Sequence, residues 1–223
     1  MTKAEKTMFL SVLATPIARE GWPFIAVFGI ATFILFIFST VLGWVGVILT
    51  LWCIYFFRNP DRVTPQRAGL IISPADGIVQ MITEVSPPVQ LDMAASEVTR
   101  ISVFMNVFDC HVNRTPCAGK IEEILYKPGK FVNASLDKAS EDNERNYYKI
   151  KDSHGNDIIV VQIAGLVARR IVCESSKDQD LKQGDRIGMI RFGSRADVYY
   201  ENYEPLVQIS QTSIAGETLL AKK

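Results

Sequence analysis

From Trp22 to Tyr55 the chain carries no charged residue, and the run closes only at Arg58, after Phe56-Phe57. One spanning helix needs about 20 apolar residues, so this stretch has room for two. It divides near Ser39-Thr40 and Gly43 into spans of about 17 residues each, at the short limit of that range. Trp22, Trp44, Trp52 and Tyr55 supply the amphipathic aromatics that collect at membrane interfaces. Arg19 precedes the run, and Arg58, Arg62 and Arg67 follow it. By the positive-inside rule both flanks stay cytoplasmic, which makes the anchor a hairpin in the cell (inner) membrane with the rest of the chain on the cytoplasmic side. The alternatives are one long tilted span, a buried core helix and a cleaved signal peptide, whose apolar core of about 7–15 residues is shorter than this run. Residues 1–21 read as a tail, either a short amphipathic helix (Met8, Phe9, Val12, Leu13, Ile17) on the membrane surface or a solvated segment.

After the hairpin (22–57) comes a polar, proline-bearing linker (58–67), and then a domain over 68–223 in which strand signals dominate. Short segments rich in β-branched and aromatic residues fall at 69–72, 77–83, 100–108, 120–126, 147–151, 157–163, 167–173, 186–192 and 196–200. The expected fold is therefore mainly β, a compact β-sandwich or barrel-like (lipoyl-like) domain, with helix mainly in the anchor. Asp152-Ser153-His154-Gly155-Asn156-Asp157 predicts a hairpin turn. Residues 127–146 form a long polar segment without a period, and loops of that length are usually functional or disordered.

The 24 basic and 24 acidic residues cancel, so no global field points to nucleic acid. There is no Walker A loop, no G-x-G-x-x-G and no zinc-finger spacing. The four cysteines (Cys53, Cys110, Cys117, Cys173) make no C-x-x-C pair and read as reduced, cytosol-facing thiols.

Chemistry is concentrated in three places. His154 falls in the expected hairpin turn and reads as exposed and inert. His111 stands between an apolar strand and Asn113-Arg114-Thr115-Pro116, and is the one imidazole placed for proton transfer near neutral pH. Asp76 lies in Pro74-Ala75-Asp76-Gly77, where turn chemistry alone would explain an aspartate. Ser194 follows Gly193, and a serine after a glycine can attack the preceding carbonyl because no side chain obstructs it. Asp76, His111 and Ser194 supply the members of a carboxylate–histidine–serine relay.

Taken together, Ser-Pro-Ala-Asp-Gly (73–77), Phe-Asp-Cys-His-Val-Asn-Arg-Thr-Pro (108–116) and Met-Ile-Arg-Phe-Gly-Ser-Arg-Ala-Asp-Val (189–198) resemble the phosphatidylserine decarboxylase family, in its short, membrane-anchored form. The resemblance runs from about residue 58 to the C-terminus. It implies self-cleavage between Gly193 and Ser194 into a β chain (1–193) and an α chain (194–223) that stay together as a heterodimer, with a dimer of such pairs left open. Ser194 would become a covalent pyruvoyl cofactor, and Asp76 and His111 the acid–base residues. Phosphatidylserine in the bilayer would be decarboxylated to phosphatidylethanolamine and CO2 through a Schiff base on that group, with no metal. Arg114, Arg191 and Arg195, and also Arg169 and Arg170, are candidates for pairing with the phosphodiester or carboxylate. Longer members carry Leu-Gly-Ser-Thr at the cleavage site where this chain has Phe-Gly-Ser-Arg, and a second histidine where it has Arg114.

Two other readings compete. A membrane-anchored serine hydrolase would use the same Ser194, His111 and Asp76, but the chain lacks a G-x-S-x-G elbow. A non-enzymatic β domain on a membrane tether, such as a carrier, would need an exposed lysine at a hairpin tip.

Overall fold

The structure is a computed structural model that describes residues 15–91, 93, 95–129, 143–165, 170–191 and 193–223. The chain divides into two compact units, Met1–Asp61 and Arg62–Lys223. The expected linker is thus shared between them. The expected amphipathic tail lies outside the described residues up to position 14.

In the first unit a single 3-10 turn (Arg19–Gly21) leads into α1 (Trp22–Phe38), and α2 (Thr40–Phe56) follows after Ser39. Ser39 is extended (φ −163°, ψ 132°), so one residue breaks the run into two helices of 17 residues. Small residues let the helices approach. A Cβ added to Gly46 would stand 3.0 Å from the Thr32 Cα, and one added to Gly43 would strike the Phe36 ring. Thr32 and Thr50 bring their hydroxyls to 2.9 Å across the pair, and each also lies within reach of the carbonyl four residues earlier, Phe28 or Gly46. With one proton apiece, one hydroxyl donates along its own helix and the other across.

The outward faces are apolar: Phe33, Ile37 and Val41 are each 70 % or more exposed. The helical stretch Arg19–Phe38 is long and apolar enough to cross a membrane, and Thr40–Phe56 is shorter. The segments entering and leaving the pair are bonded to each other, Ala18 N–H to Phe57 O (2.7 Å) and Asn59 N–H to Pro16 O (2.6 Å). The helices therefore form a hairpin closed at its base.

The second unit is built of strands, and the chain as a whole is mainly β. They are β1 (Leu70–Ile72), β2 (Gly77–Val85), β3 (Val98–Met105), β4 (Val112–Arg114), β5 (Gly119–Lys127), β6 (Arg145–Asp152) and β7 (Asp157–Ala164). After them come β8 (Ile171–Cys173), β9 (Asp180–Leu181), β10 (Arg186–Ile190), β11 (Ser194–Tyr200), β12 (Glu204–Pro205), β13 (Thr212–Ser213) and β14 (Leu219–Lys222). Eight make a curled sheet in the order β13-β2-β3-β11-β7-β6-β5-β9, flanked by two three-stranded sheets, β1-β14-β12 and β4-β10-β8.

The period-2 rule explains β11. Ala196, Val198 and Tyr200 enter the main core with Ile101, Val103, Ile158 and Val160. Tyr199 packs on the opposite face with Tyr147, Ile159, Val161 and Ile163, under Leu91 and Met93. A strand buried on both faces belongs in the middle of a sheet, and β11 sits between β3 and β7.

Every expected strand has a counterpart, with shifted ends. The segment 100–108 stops at Met105 because Asn106 and Asp109 close a turn of their own, Asn106 N–H to Asp109 Oδ2 and Phe108 N–H to Asn106 Oδ1, both 2.8 Å. The expected loop 127–146 is shorter than its sequence suggested, since Lys127 ends β5 and Arg145 opens β6. Its central part, 130–142, lies outside the described residues, as do 166–169. The hairpin turn at 152–157 is present, with Asp152 N–H to Asn156 O at 3.0 Å and Gly155 at φ +80°.

Candidate active site

The site is assembled where the small sheet delivers two loops to the end of β11. Strand β10 pairs with β4 so that Met189 faces Val112, and Ile190 N–H donates to His111 O at 3.2 Å. This register brings the buried His111 alongside the segment that runs into Ser194. Its Nε2 lies 3.2 Å from Gly193 N–H, and its Nδ1 lies 3.0 Å from Asp109 O. A backbone N–H only donates and a carbonyl only accepts, so the two contacts assign the tautomer: the proton sits on Nδ1 and the lone pair of Nε2 faces Gly193.

Gly193 has φ +54°, in the left-handed region that favours glycine, and the space where a Cβ would stand is open. Ser194 opens β11, pairs with Met105 on β3 and Ala164 on β7, and is fully buried. Its hydroxyl donates to the Met105 Sδ at 3.8 Å, a weak acceptor that leaves the oxygen available. The bond between these residues therefore joins a conformationally permissive residue to a fixed strand. An unprotonated imidazole nitrogen stands beside it.

Asp76 is differently engaged. Both carboxylate oxygens accept from Arg62 Nη2 (2.9 and 2.7 Å), and Oδ1 also accepts from Ala215 N–H (2.8 Å). None of these hydrogen bonds reaches His111. The guanidinium of Arg62 is the partner of both carboxylate oxygens. This charged donor occupies the carboxylate, while a neutral carbonyl serves His111 Nδ1. Arg62 falls in the stretch that reads as linker in sequence, yet it belongs to the second unit, where Val63 N–H also bonds Glu217 Oε1 and Gln66 bonds the Gln183 carbonyl.

The arginine candidates separate. Arg114 is half-buried, donates to Gly184 O at 3.0 Å, and has its pKa lowered by burial and then by the Arg62 cation. Arg191 is half-buried two residues before Gly193, and Arg170 is exposed. Arg195 is fully buried in a two-bonded pair with Asp197, Nε to Oδ1 at 2.8 Å and Nη2 to Oδ2 at 2.9 Å. As the neighbour of Ser194 in a strand, it points to the opposite face. Arg169 lies outside the described residues. His154 is exposed in its turn, as expected.

A buried polar chain on the Ser194 face escaped the sequence reading. It consists of Asn113, Gln162, Tyr148 and Asn146, all 1 % exposed or less. The signal for it was present: Gln162 interrupts the otherwise apolar run Ile158-Ile159-Val160-Val161-Gln162-Ile163, and a polar residue at a core position needs a partner.

The family model described as phosphatidylserine decarboxylase matches residues 49–221. A phosphatidylserine decarboxylase proenzyme of Pelagibacter ubique is 66% identical over 207 residues, 93% of this chain and 96% of that protein. Those of Ruegeria pomeroyi and Cereibacter sphaeroides are 61% identical over 207 residues (92% of this chain, 94% of that protein) and 56% identical over 213 residues (95% and 92%).

Proposed function

The chain belongs to the phosphatidylserine decarboxylase family and is a decarboxylase made as a proenzyme; from that premise we propose that it cleaves itself between Gly193 and Ser194 and converts phosphatidylserine to phosphatidylethanolamine and CO2 on a pyruvoyl group derived from Ser194. The observation that carries this reading is the Gly193 N–H to His111 Nε2 contact beside a buried serine and a left-handed glycine. These residues fit the formation of such a group: the nucleophile is held by a weak acceptor, and the glycine side of the bond is open.

In the proposed cleavage, Ser194 Oγ adds to the Gly193 carbonyl carbon and the C–N bond breaks. An ester then joins Gly193 to Ser194 Oγ, and residue 194 carries a free amine. A base removes the Ser194 Cα proton, the Cβ–Oγ bond breaks, and the 1–193 segment leaves as a carboxylate. Addition of water to the resulting enamine, through its imine tautomer, expels ammonia and leaves the ketone. His111 Nε2 is the base in this scheme, a role typically worth about 10²–10⁴-fold. A ketone at position 194 would supply the electron sink that decarboxylation of an amino-acid headgroup needs.

The remaining residues bind and hold. Arg114 and Arg191 are the proposed partners of the phosphodiester or carboxylate, whereas Arg195 serves its Asp197 pair. The α chain (194–223) would contribute β11, β12, β13 and β14, with β11 bonded on both edges and β14 paired to β1. It would therefore remain with the β chain (1–193) as a heterodimer after the bond is cut. The helical hairpin would hold the enzyme at the inner membrane, its arginine-flanked base on the cytoplasmic side, where a diacyl lipid presents its headgroup.

The test is conversion of phosphatidylserine in mixed micelles by the purified full chain. Phosphatidylethanolamine should form with the wild type. The Ser194→Ala variant should stay uncleaved and inactive; normal processing or turnover in that variant overturns the assignment.

A further inference from the structure

Two donors in the core converge on one poor acceptor. Ser194 Oγ lies 3.8 Å and Asn113 Nδ2 lies 3.7 Å from the Met105 sulfur. A thioether is a weak acceptor, and any oxygen that gains negative charge nearby will draw both away from it.

The rest of the Asn113 carboxamide is fixed. Nδ2 also donates to Pro74 O at 3.3 Å, and Oδ1 accepts from Gln162 Nε2 at 2.9 Å. Gln162 Oε1 in turn lies 3.0 Å from the Tyr148 hydroxyl and 3.4 Å from Asn146 Nδ2, and that hydroxyl, with one proton to give, also lies 3.0 Å from Ile187 O. The orientation is set from the other end: Pro74 O only accepts, so the Asn113 nitrogen must face it, and Oδ1 must then face Gln162 Nε2. A buried amide N–H without a good acceptor is costly, and one N–H of Asn113 is spent on sulfur.

We propose that this N–H of Asn113 is the hydrogen-bond donor to Ser194 Oγ during self-cleavage, stabilising that oxygen as it leaves in the elimination step. The inference rests on the cleavage reading given above. In that step the Ser194 Cα proton passes to the base and the Cα–H electrons form the Cα=Cβ bond. The Cβ–Oγ pair goes to Oγ, which becomes part of the Gly193 carboxylate. The Asn113 N–H turns from the sulfur to that oxygen, and Gln162 positions it by holding Oδ1.

The experiment follows the intact mass of the full chain in detergent over time, for wild type, Asn113→Asp and Asn113→Ala, with and without neutral hydroxylamine. Hydroxylamine cleaves esters and leaves peptide bonds intact. A lost hydrogen bond to a charged oxygen should slow processing by about 10- to 100-fold. Both variants should accumulate the ester, so hydroxylamine should split them at 193/194 and release an α chain that begins with a serine amine. A purely structural role would impair ester formation as well and leave nothing for hydroxylamine to cut. Wild-type processing rates, or no hydroxylamine-sensitive cleavage in either variant, overturn the proposal. A wild type that never cleaves would instead overturn the reading on which it rests.

Discussion

The turn at Asp76 and the turn at His111 each follow a core strand and each present a titratable side chain, but they are wired to different parts of the chain. His111 is bonded to the amide of Gly193, one residue before the proposed nucleophile. Asp76 is bonded to Arg62, at the start of the β unit, and to Ala215, within its last residues. A motif can mark two residues as a pair when their hydrogen bonds reach different parts of the chain, and the proposed tasks differ accordingly: proton transfer for His111, holding chain segments together for Asp76. The division matters for a chain proposed to cut itself, because the α segment would have to stay in place once its covalent link is gone.

The largest expected effect breaks or confirms the His111 side of the comparison. His111→Ala should slow self-cleavage by about 10²–10⁴-fold, followed by intact mass against time. Processing at the wild-type rate would move the base elsewhere. Asp76→Asn comes next. It removes the charge from a pair whose side chains are only 14% exposed, so the unit should lose about 2 kcal/mol of stability, or about 5 °C in Tm. Its cleavage should stay within about tenfold of wild type, whereas loss of a relay carboxylate costs about 10⁴-fold. A drop of that size with an unchanged Tm would restore the relay. Arg62→Leu sharpens the point, since its stability loss should overlap that of Asp76→Asn in a double-mutant cycle. The smallest effect belongs to His154→Ala. This exposed turn residue should leave both processing and Tm unchanged.

The helical hairpin was legible because thirty-odd residues without a charge admit few folds, and its break fell at the expected Ser39. The long strands were legible from their β-branched and aromatic residues. Strands β9, β12 and β13 have two residues each, too few for any period to show. The contacts of the candidate site were not legible. Arg62 captures Asp76 from a stretch whose prolines read as linker, and only the tertiary fold reveals that partner. Arg195 was open to better reading: next to Ser194 in a strand, it must face the other way. Gln162 carried a visible signal in its apolar run, but its connection to Asn113 and Met105 depends on sheet register.

The central claim is most directly tested by the intact mass of the purified protein in denaturing solvent. The account predicts two chains that separate at Gly193/Ser194, the smaller with a ketone in place of its N-terminal amine. A single full-length mass from protein that decarboxylates phosphatidylserine would contradict it.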